Sequence, residues 1–520
     1  MAPLADVVEV FDTPTFEYHL LAPMLIVFGG AIVGVLVEAF APRARRRVIQ
    51  IIVSLATLVA AFAVLLTWTR DGLGHLAAAG NVAIDGPAVF LQGTILALSL
   101  VAFLLFAERE IDPAGDAFTP SAATIPGSAS ERELTTARVT QTEVWPLALF
   151  SVGGMMLFVA ADDLLTFFVA LEVMSLPLYL LVGLARRRRL LSQEAALKYF
   201  LLGSFSSAFL LFGSAFLFGY AGSISFSGIY DALSTPLGLE PLLVIGAGLV
   251  AIGLFFKVGA VPFHSWVPDV YQGAPTPVTA FMASATKVAA FGAMLRLFYV
   301  ALGDYQWNWR PLFWVVVIAT VVVGSILAIT QTDIKRMLAY SSVAQAGFIL
   351  MGVTAASSEG LSSTMFYLVV YGFATIGAFA LVTVVRDGSA EATHLARWAG
   401  LGRRAPVVAA VMSLFLLSFA GIPLTAGFIG KFLVFDAAID GGAWPLVVVG
   451  AVFSAVAAFF YVRVIVLMYF SDPPDDPPTV ALPSAFTTLT VAVAAAATIV
   501  LGIVPGPLID LAQEAAAFIR

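Results

Sequence analysis

The stretch that decides the fold is GLVAIGLFFKVGAVPFHSWVPD, residues 248–269. An apolar run carries a lysine, Lys257, and then meets Pro262, which has no amide hydrogen and clashes with the turn before it. A helix built from the first half is therefore expected to break at Pro262. At membrane depth such a break survives only where it lines a protein-enclosed or hydrated cavity, because lipid cannot satisfy the freed backbone groups. A lysine beside it meets water and polar groups, and other helices must surround it. The same pattern returns in SFAGIPLTAGFIGKFLVF, residues 418–435, with Pro423 at the break and Lys431 after it.

The rest of the chain supplies the surrounding helices. It has 520 residues, 60% hydrophobic, and a mean hydropathy of +0.98. Only 11% are charged, against roughly 25% in soluble domains, so a bilayer is the natural solvent. The net charge of −7 has no basic excess, which argues against nucleic acid. There are no cysteines, which removes disulfides and thiolate-ligated iron–sulfur clusters from this chain. The four histidines show no metal-ligand spacing. The segment from Met1 to Tyr18 holds Asp6, Glu9, Asp12 and Glu17 but no Lys or Arg, so it lacks the positive region of a signal peptide. The first apolar run is expected to stay in the membrane.

A crossing needs about 20 mostly apolar residues. That rule gives fourteen spans: 20–40, 48–68, 87–107, 145–161, 163–184, 194–220, 241–263, 276–300, 312–331, 337–355, 363–385, 407–435, 444–470 and 484–505. The chain thus divides into three N-terminal helices (1–107), a low-complexity loop (108–144), two helical units (145–300 and 312–470) and a last helix (484–505). With both termini outside, the inner loops hold seventeen Lys and Arg, including Arg43, Arg109, the run Arg186 to Arg189, Lys335 and Arg386; the outer side holds only Arg70, Arg310 and Arg520. That asymmetry follows the positive-inside rule. Loop 108–144 is rich in Ser, Thr, Ala and Pro and reads as a mobile inner linker, with a docking segment as the alternative. The DPPDDPP run at 472–478 reads as a solvated connector.

The fold expected is an all-α polytopic membrane protein of about fourteen helices. Helices 4–8 and 9–13 form two five-helix units, each with its broken helix fourth. An odd number of helices per unit makes the second cross in the opposite sense, which is the pattern of an inverted-repeat transporter with a mid-depth pathway.

Six basic residues fall within the spans: Lys198, Lys257, Lys287, Arg296, Lys431 and Arg463. A charge at mid-bilayer costs about 2.5–3.5 kcal/mol even on lenient scales, so each is expected to face a polar interior. Glu172, in LLTFFVALEVMSLPLYLL (164–181), lies nine residues past Asp163 and hence roughly 13 Å deep. A carboxylate that moves near Lys257 could switch the lysine between protonated and neutral, a proton gate; a static ion pair is the alternative. Lys287 is again near mid-membrane. His264 could relay protons or be a structural residue. Lys431 suits a proton exit, or else snorkels. Lys198, four residues after Glu194, could equally form a helix-end pair. Arg296 and Arg463 read as interface or structural arginines.

The stretch FFKVGAVPFHSWVPDVYQGAPTPVTAFMASATK (255–287), with LEVMSLPLYLL (171–181) and GIPLTAGFIGKF (421–432), resembles the antiporter-like subunits of respiratory complex I. Their relatives serve multisubunit sodium/proton antiporters and membrane-bound hydrogenases. The likeness covers residues from about 145 to 470. It implies a proton pathway through Glu172, Lys198, Lys257, His264, Lys287 and Lys431. It also implies a subunit of an H⁺-translocating NADH–quinone oxidoreductase with no redox catalysis in this chain. NADH, FMN, iron–sulfur clusters and quinone would sit on partner subunits, the other members of the membrane arm, in a bacterial inner membrane. The alternatives are a subunit of a cation/proton antiporter and an inert structural subunit.

Overall fold

The computed structural model describes residues 17–68, 73–234 and 238–519. Asp6, Glu9 and Asp12 of the N-terminal segment, and Arg70 and Arg520 of the charge count, lie outside the described residues.

The chain opens with α1 (Tyr18–Phe40), α2 (Arg43–Trp68), a hairpin of β1 (His75–Ala77) and β2 (Val82–Ile84), and α3 (Gly86–Phe106). After a loop holding the short α4 (Ala129–Thr136) come α5 (Val144–Ala160), α6 (Leu164–Val182), α7 (Arg189–Ala221), α8 (Phe226–Ser234) and α9 (Glu240–Val258). The first break separates α9 from α10 (Trp266–Gly273). Next, α11 (Thr276–Phe281) and α12 (Lys287–Arg296) make one crossing, joined by a π-helical turn over Met282–Thr286. Then follow α13 (Gln306–Ile329), α14 (Ile334–Ala355) and α15 (Ser358–Val384). The small strands β3 (Val385–Asp387) and β4 (Ala390–Glu391) precede α16 (Leu401–Arg404). The second break separates α17 (Pro406–Ala420) from α18 (Ala426–Asp440), and α19 (Trp444–Phe470), β5 (Thr479–Val480), α20 (Ala485–Ile503) and α21 (Gly506–Glu514) complete the chain.

Among the described residues, twelve helices are long and apolar enough to cross a membrane. The short apolar α5 and the broken α17–α18 bring the crossings to the expected fourteen. Local sequence sets the ends. Asp163 starts α6 by accepting from the amides of Leu165 and Thr166, both at 2.8 Å, and Asp333 starts α14 by accepting from Arg336 at 3.1 Å. The interior helices are the α11–α12 crossing, α14 and α15, buried almost throughout, while α1, α2, α7, α19 and α20 turn Leu, Val and Phe outward on one face.

Two expectations need correction. Neither break begins at its proline. Helix α9 stops at Val258, where Gly259 takes a left-handed φ of 77°, and Ala260 closes the end by donating to the Phe255 carbonyl at 2.8 Å. Helix α17 likewise stops at Ala420, before Gly421 with φ 78°. Pro262 and Pro423 lie inside the gaps and keep them open. The loop 108–144 is not a free linker either. Asp112, Asp116 and Phe118 are buried, and the arginine run grips the segment: Arg187 pairs with Asp112 at 2.9 Å, Arg186 with Asp116 at 2.7 Å and Arg189 with Glu131 at 2.8 Å. Arg386, far along the chain, joins Asp112 at 3.0 Å. The connector 472–478 is largely exposed, as expected; Arg403 meets Asp472 there at 3.0 Å, and β5, just beyond it, adds to β3.

Candidate functional site: a row of buried lysines

Lys257 is the penultimate residue of α9. Its amine donates to the Ser175 hydroxyl at 2.7 Å and approaches that of Tyr179 at 3.4 Å. The rings of Tyr179, Tyr199 and Phe256 stand 5.5–5.9 Å away, a cation–π setting. In the gap beyond, the Val261 amide has lost its helical acceptor and donates instead to Thr320 Oγ1 of α13 at 2.9 Å. Trp266, at the start of α10, ties back to the Phe256 carbonyl at 2.9 Å. His264 is half-buried in the gap, its ring 6.3 Å from that of Tyr340.

Lys287 follows the π-helical turn directly. Such turns widen a helix by one residue and gather at functional sites. Its amine donates to the Ser342 carbonyl of α14 at 2.6 Å and lies 5.6 Å from the ring of Tyr371. Lys431 sits at the second break. It donates to the carbonyls of Phe419 and Ala420, at 2.9 and 3.1 Å, and to Ser454 Oγ at 3.0 Å. The broken helix leaves those carbonyls without amide donors, and a cation at a helix C-terminus also meets the favourable end of the dipole.

Helix α14 joins the second and third lysines. Ser341 meets the Tyr461 hydroxyl at 2.5 Å; Gln345 donates to the Phe419 carbonyl at 2.8 Å and accepts from Tyr367 at 2.6 Å. One buried polar line therefore runs from Lys287 through Ser342, Ser341, Tyr461 and Gln345 to Lys431. Among the described residues none of these three lysines has a carboxylate partner; the lysine ion pairs belong to Lys198 and Lys335.

Two expected members stand apart. Glu172 makes no ion pair with Lys257, although its charge still acts on that amine. It is half-buried near the face of α6 that exposes Leu165, Val169, Leu176 and Leu180, and its Oε1 is enclosed without a hydrogen-bond partner among the described residues. Lys198 is 42% exposed and pairs with both Glu194 and Asp269 at 2.7 Å, the helix-end arrangement. Arg296 is structural, as expected: fully buried, it holds Asp85 at 2.5 Å. Sequence reasoning missed Tyr271, Tyr367, Tyr371 and Tyr461, because a tyrosine in an apolar run looks like core. It also missed Lys335, which lies two residues past the cap of α14 and so reads as loop.

The family described as "NADH:quinone oxidoreductase/Mrp antiporter, TM" matches residues 161–457, more than half of the chain. Curated proteins called NADH-quinone oxidoreductase subunit N match nearly end to end. That of Rhodococcus opacus is 61% identical, over 98% of this chain and 97% of the relative. That of Mycobacterium bovis is 54% identical, over 98% and 100%. This chain belongs to the subunit N family. Among solved structures, a chain of respiratory complex I from Thermus thermophilus with bound aureothin is 31% identical with a TM-score of 0.75, covering 94% of this chain and 99% of that one. A chain of the Mrp complex from Dietzia has a TM-score of 0.80 at 23% identity, a likeness of fold. The chain is thus an antiporter-like, multi-pass membrane subunit, and the row of lysines runs through the matched region.

Proposed function

We propose that this chain carries protons across a bacterial inner membrane as part of an NADH–quinone oxidoreductase. The single observation behind this reading is that Lys257, Lys287 and Lys431 are buried on neutral oxygens alone. With no carboxylate in direct contact to hold the charge, each amine can lose a proton without breaking an ion pair. Each also lies at an irregular stretch of helix, where backbone groups and waters can rearrange. Serine, tyrosine and glutamine hydroxyls and amides supply the links between Lys287 and Lys431. Between Lys257 and Lys287 no such chain of side chains runs among the described residues, and this reading requires waters near Trp266 and Tyr271 to complete the path.

In this reading His264 sits at the first break as a relay. Glu172 acts from the edge of α6, and Lys198, held by two carboxylates, is an outlying member. Quinone reduction happens on partner subunits, which hold the FMN, the iron–sulfur clusters and the sites for NADH and quinone. The helices also support two units of opposite sense. In the first, α5 packs on α6 and on α12, and α6 on α7; in the second, α13 packs on α14 and on α19, and α14 on α15. The arginine-rich loops meet at one end of the bundle, as Arg188 on Thr393 and Arg386 on Asp112 show, and we assign that end to the cytoplasm, with the termini outside.

The test is proton release per NADH oxidised, measured with the purified, reconstituted assembly. Lys257→Met is expected to assemble and to lose the share of protons this chain carries. A wild-type ratio in both Lys257→Met and Lys287→Met would overturn the reading. Sodium-dependent proton exchange without NADH would instead favour the antiporter alternative.

A further inference from the structure

At the arginine-rich end, the start of the docked loop, the α10–α11 junction and β4 enclose a cavity of about 90 Å³, enough for several waters. Its wall includes Asp112, Arg186, Thr276, Lys335, Arg386 and Glu391. Most of its charges are already matched. Asp112 is held by Arg187 and Arg386, Arg186 by Asp116, and Glu108 by the hydroxyls of Ser484 and Thr487.

Lys335 is paired more loosely than these. Its side chain is 3% exposed, and it donates to the Ala274 carbonyl and to Thr276 Oγ1, both at 3.0 Å. Glu391 stands 3.7 Å away; Asp333 and Arg188 are the other charges that act on the amine. The amine therefore has a carboxylate in the cavity wall and only neutral oxygens toward the α10–α11 junction. Seven residues further along α14, on the same buried face, lies Ser342, the residue that holds Lys287. Two helical turns separate them, roughly 10 Å. The phenols of Tyr271 and Tyr371 both approach the Ser342 hydroxyl and line that interval.

We propose that Lys335 is the intake for the row of lysines: it receives protons from the cavity and passes them toward Lys287. A hydronium in the cavity gives up an O–H bond as an N–H bond forms on the neutral amine. An N–H bond then breaks as an O–H bond forms on the next hydroxyl or water beside Ser342, so that each transfer breaks one bond and forms one, and the lysine returns to its starting state. Glu391 steadies the charged form while the proton waits.

This inference rests on the proton-carrying reading above, and the test separates the two. Lys335→Arg keeps a cation on Glu391 and the donors to Ala274 and Thr276, but arginine does not give up its proton. The reconstituted assembly with Lys335→Arg is expected to form normally and to release as few protons per NADH as Lys287→Met. Lys335→Arg at the wild-type ratio with Lys287→Met impaired overturns the intake and leaves the proton pathway standing. Wild-type ratios in both overturn the pathway itself.

Should Lys335→Arg not assemble, accessibility decides. The chain has no cysteine, so Thr276→Cys reports on the cavity alone when modification is read from the mass of this chain. A small cationic thiosulfonate added from the arginine-rich side of membrane vesicles is expected to modify it. No modification there, with a cysteine at exposed Thr136 fully modified, overturns the intake.

Discussion

The amine of Lys431 and the amide of Gln345 meet on one acceptor, the main-chain carbonyl of Phe419, at 2.9 and 2.8 Å. Two donors from different helices thus converge on the last turn of α17, whose carbonyls the break has freed. A side chain of the same shape but opposite character at position 345 would change what Lys431 sees. Gln345→Glu places an acceptor-only group beside the amine in a buried site, where a charge pair is strong. The lysine is then held as a cation. We expect the assembly to form and proton release per NADH to fall to the level of Lys257→Met. A wild-type ratio would show that Lys431 need not lose its charge.

The docked loop should be sensitive to acid. At Glu108 burial opposes ionisation, but hydrogen bonds from Thr487, Ser484 and the amides of Glu110 and Ser484 outweigh it and hold the carboxyl below its usual value. At Asp112 burial is again outweighed, by the hydrogen bond and charge of Arg187, the Ala114 amide and the charge of Arg386. Both folded-state values lie below the unfolded ones. The stability they contribute is therefore complete above the ordinary carboxylate range, near pH 4, and is lost as pH falls through the lowered values. Asp116 acts the other way, because burial raises it even beside Arg186. Limited proteolysis between residues 108 and 128 is expected to be slow at neutral pH and to quicken below about pH 4. Asp112→Asn should bring that susceptibility to neutral pH. Slow cleavage of this variant would mean that Phe118 and the other apolar anchors hold the loop by themselves.

Much of this arrangement is legible in the sequence, and the remainder is hidden for identifiable reasons. Fourteen crossings follow from hydropathy, because each depends on about twenty neighbouring residues. The positions of Lys257 and Lys431 near helix breaks follow from Pro262 and Pro423, and that of Lys287 near mid-membrane follows from its depth. The π-helical turn before Lys287 has no such marker. The loop 108–144 was misread because its anchors are distant: Asp116 meets Arg186 seventy residues away, and Asp112 meets Arg386 274 residues away. Composition registers neither. Lys335 was counted with the loop charges because Asp333 caps the helix just before it, yet helical phase alone puts it on the face of Ser342. Of the two readings of Glu172, the static ion pair with Lys257 is absent: the lysine takes Ser175, one turn along the same helix, while the charge of Glu172 acts on it from farther away.

At the opposite end of the bundle, Arg296 is fully buried between Asp85, at 2.5 Å, and the Val159 carbonyl, at 2.9 Å. Asp85 also accepts from the amide of Ile519, and the ring of Phe518 stacks 4.9 Å from the guanidinium. The pair therefore clamps the C-terminal segment onto α3. Asp162 stands 3.7 Å from the guanidinium as a second, looser counterion, so removing Asp85 takes away the closer partner of a buried charge, at a cost of up to about 3–5 kcal/mol. Asp85→Ala is expected to lower the thermal stability of the assembled complex and to free the segment after α21 for carboxypeptidase trimming. Unchanged stability would mean that Asp162, 3.7 Å away, takes over the role of Asp85.

The first break supplies a quieter test, through a single hydroxyl. Thr320 Oγ1 accepts from the Val261 amide at 2.9 Å and donates to the Val316 carbonyl within its own helix. Thr320 is fully buried, and Val261 partly so. Thr320→Val keeps the shape and removes the acceptor. The orphaned amide costs about 1–3 kcal/mol, and the gap must relax to find another oxygen. Because Val261 follows Lys257 by four residues, that relaxation displaces the end of α9 on which the lysine sits. We expect Thr320→Val to assemble and oxidise NADH, but to release fewer protons per NADH than the wild type, while Thr320→Ser restores the ratio. Equal losses in both variants would assign the effect to packing against α13, and no loss in either would mean that the gap is held by Gly259 and Trp266 without help from Thr320.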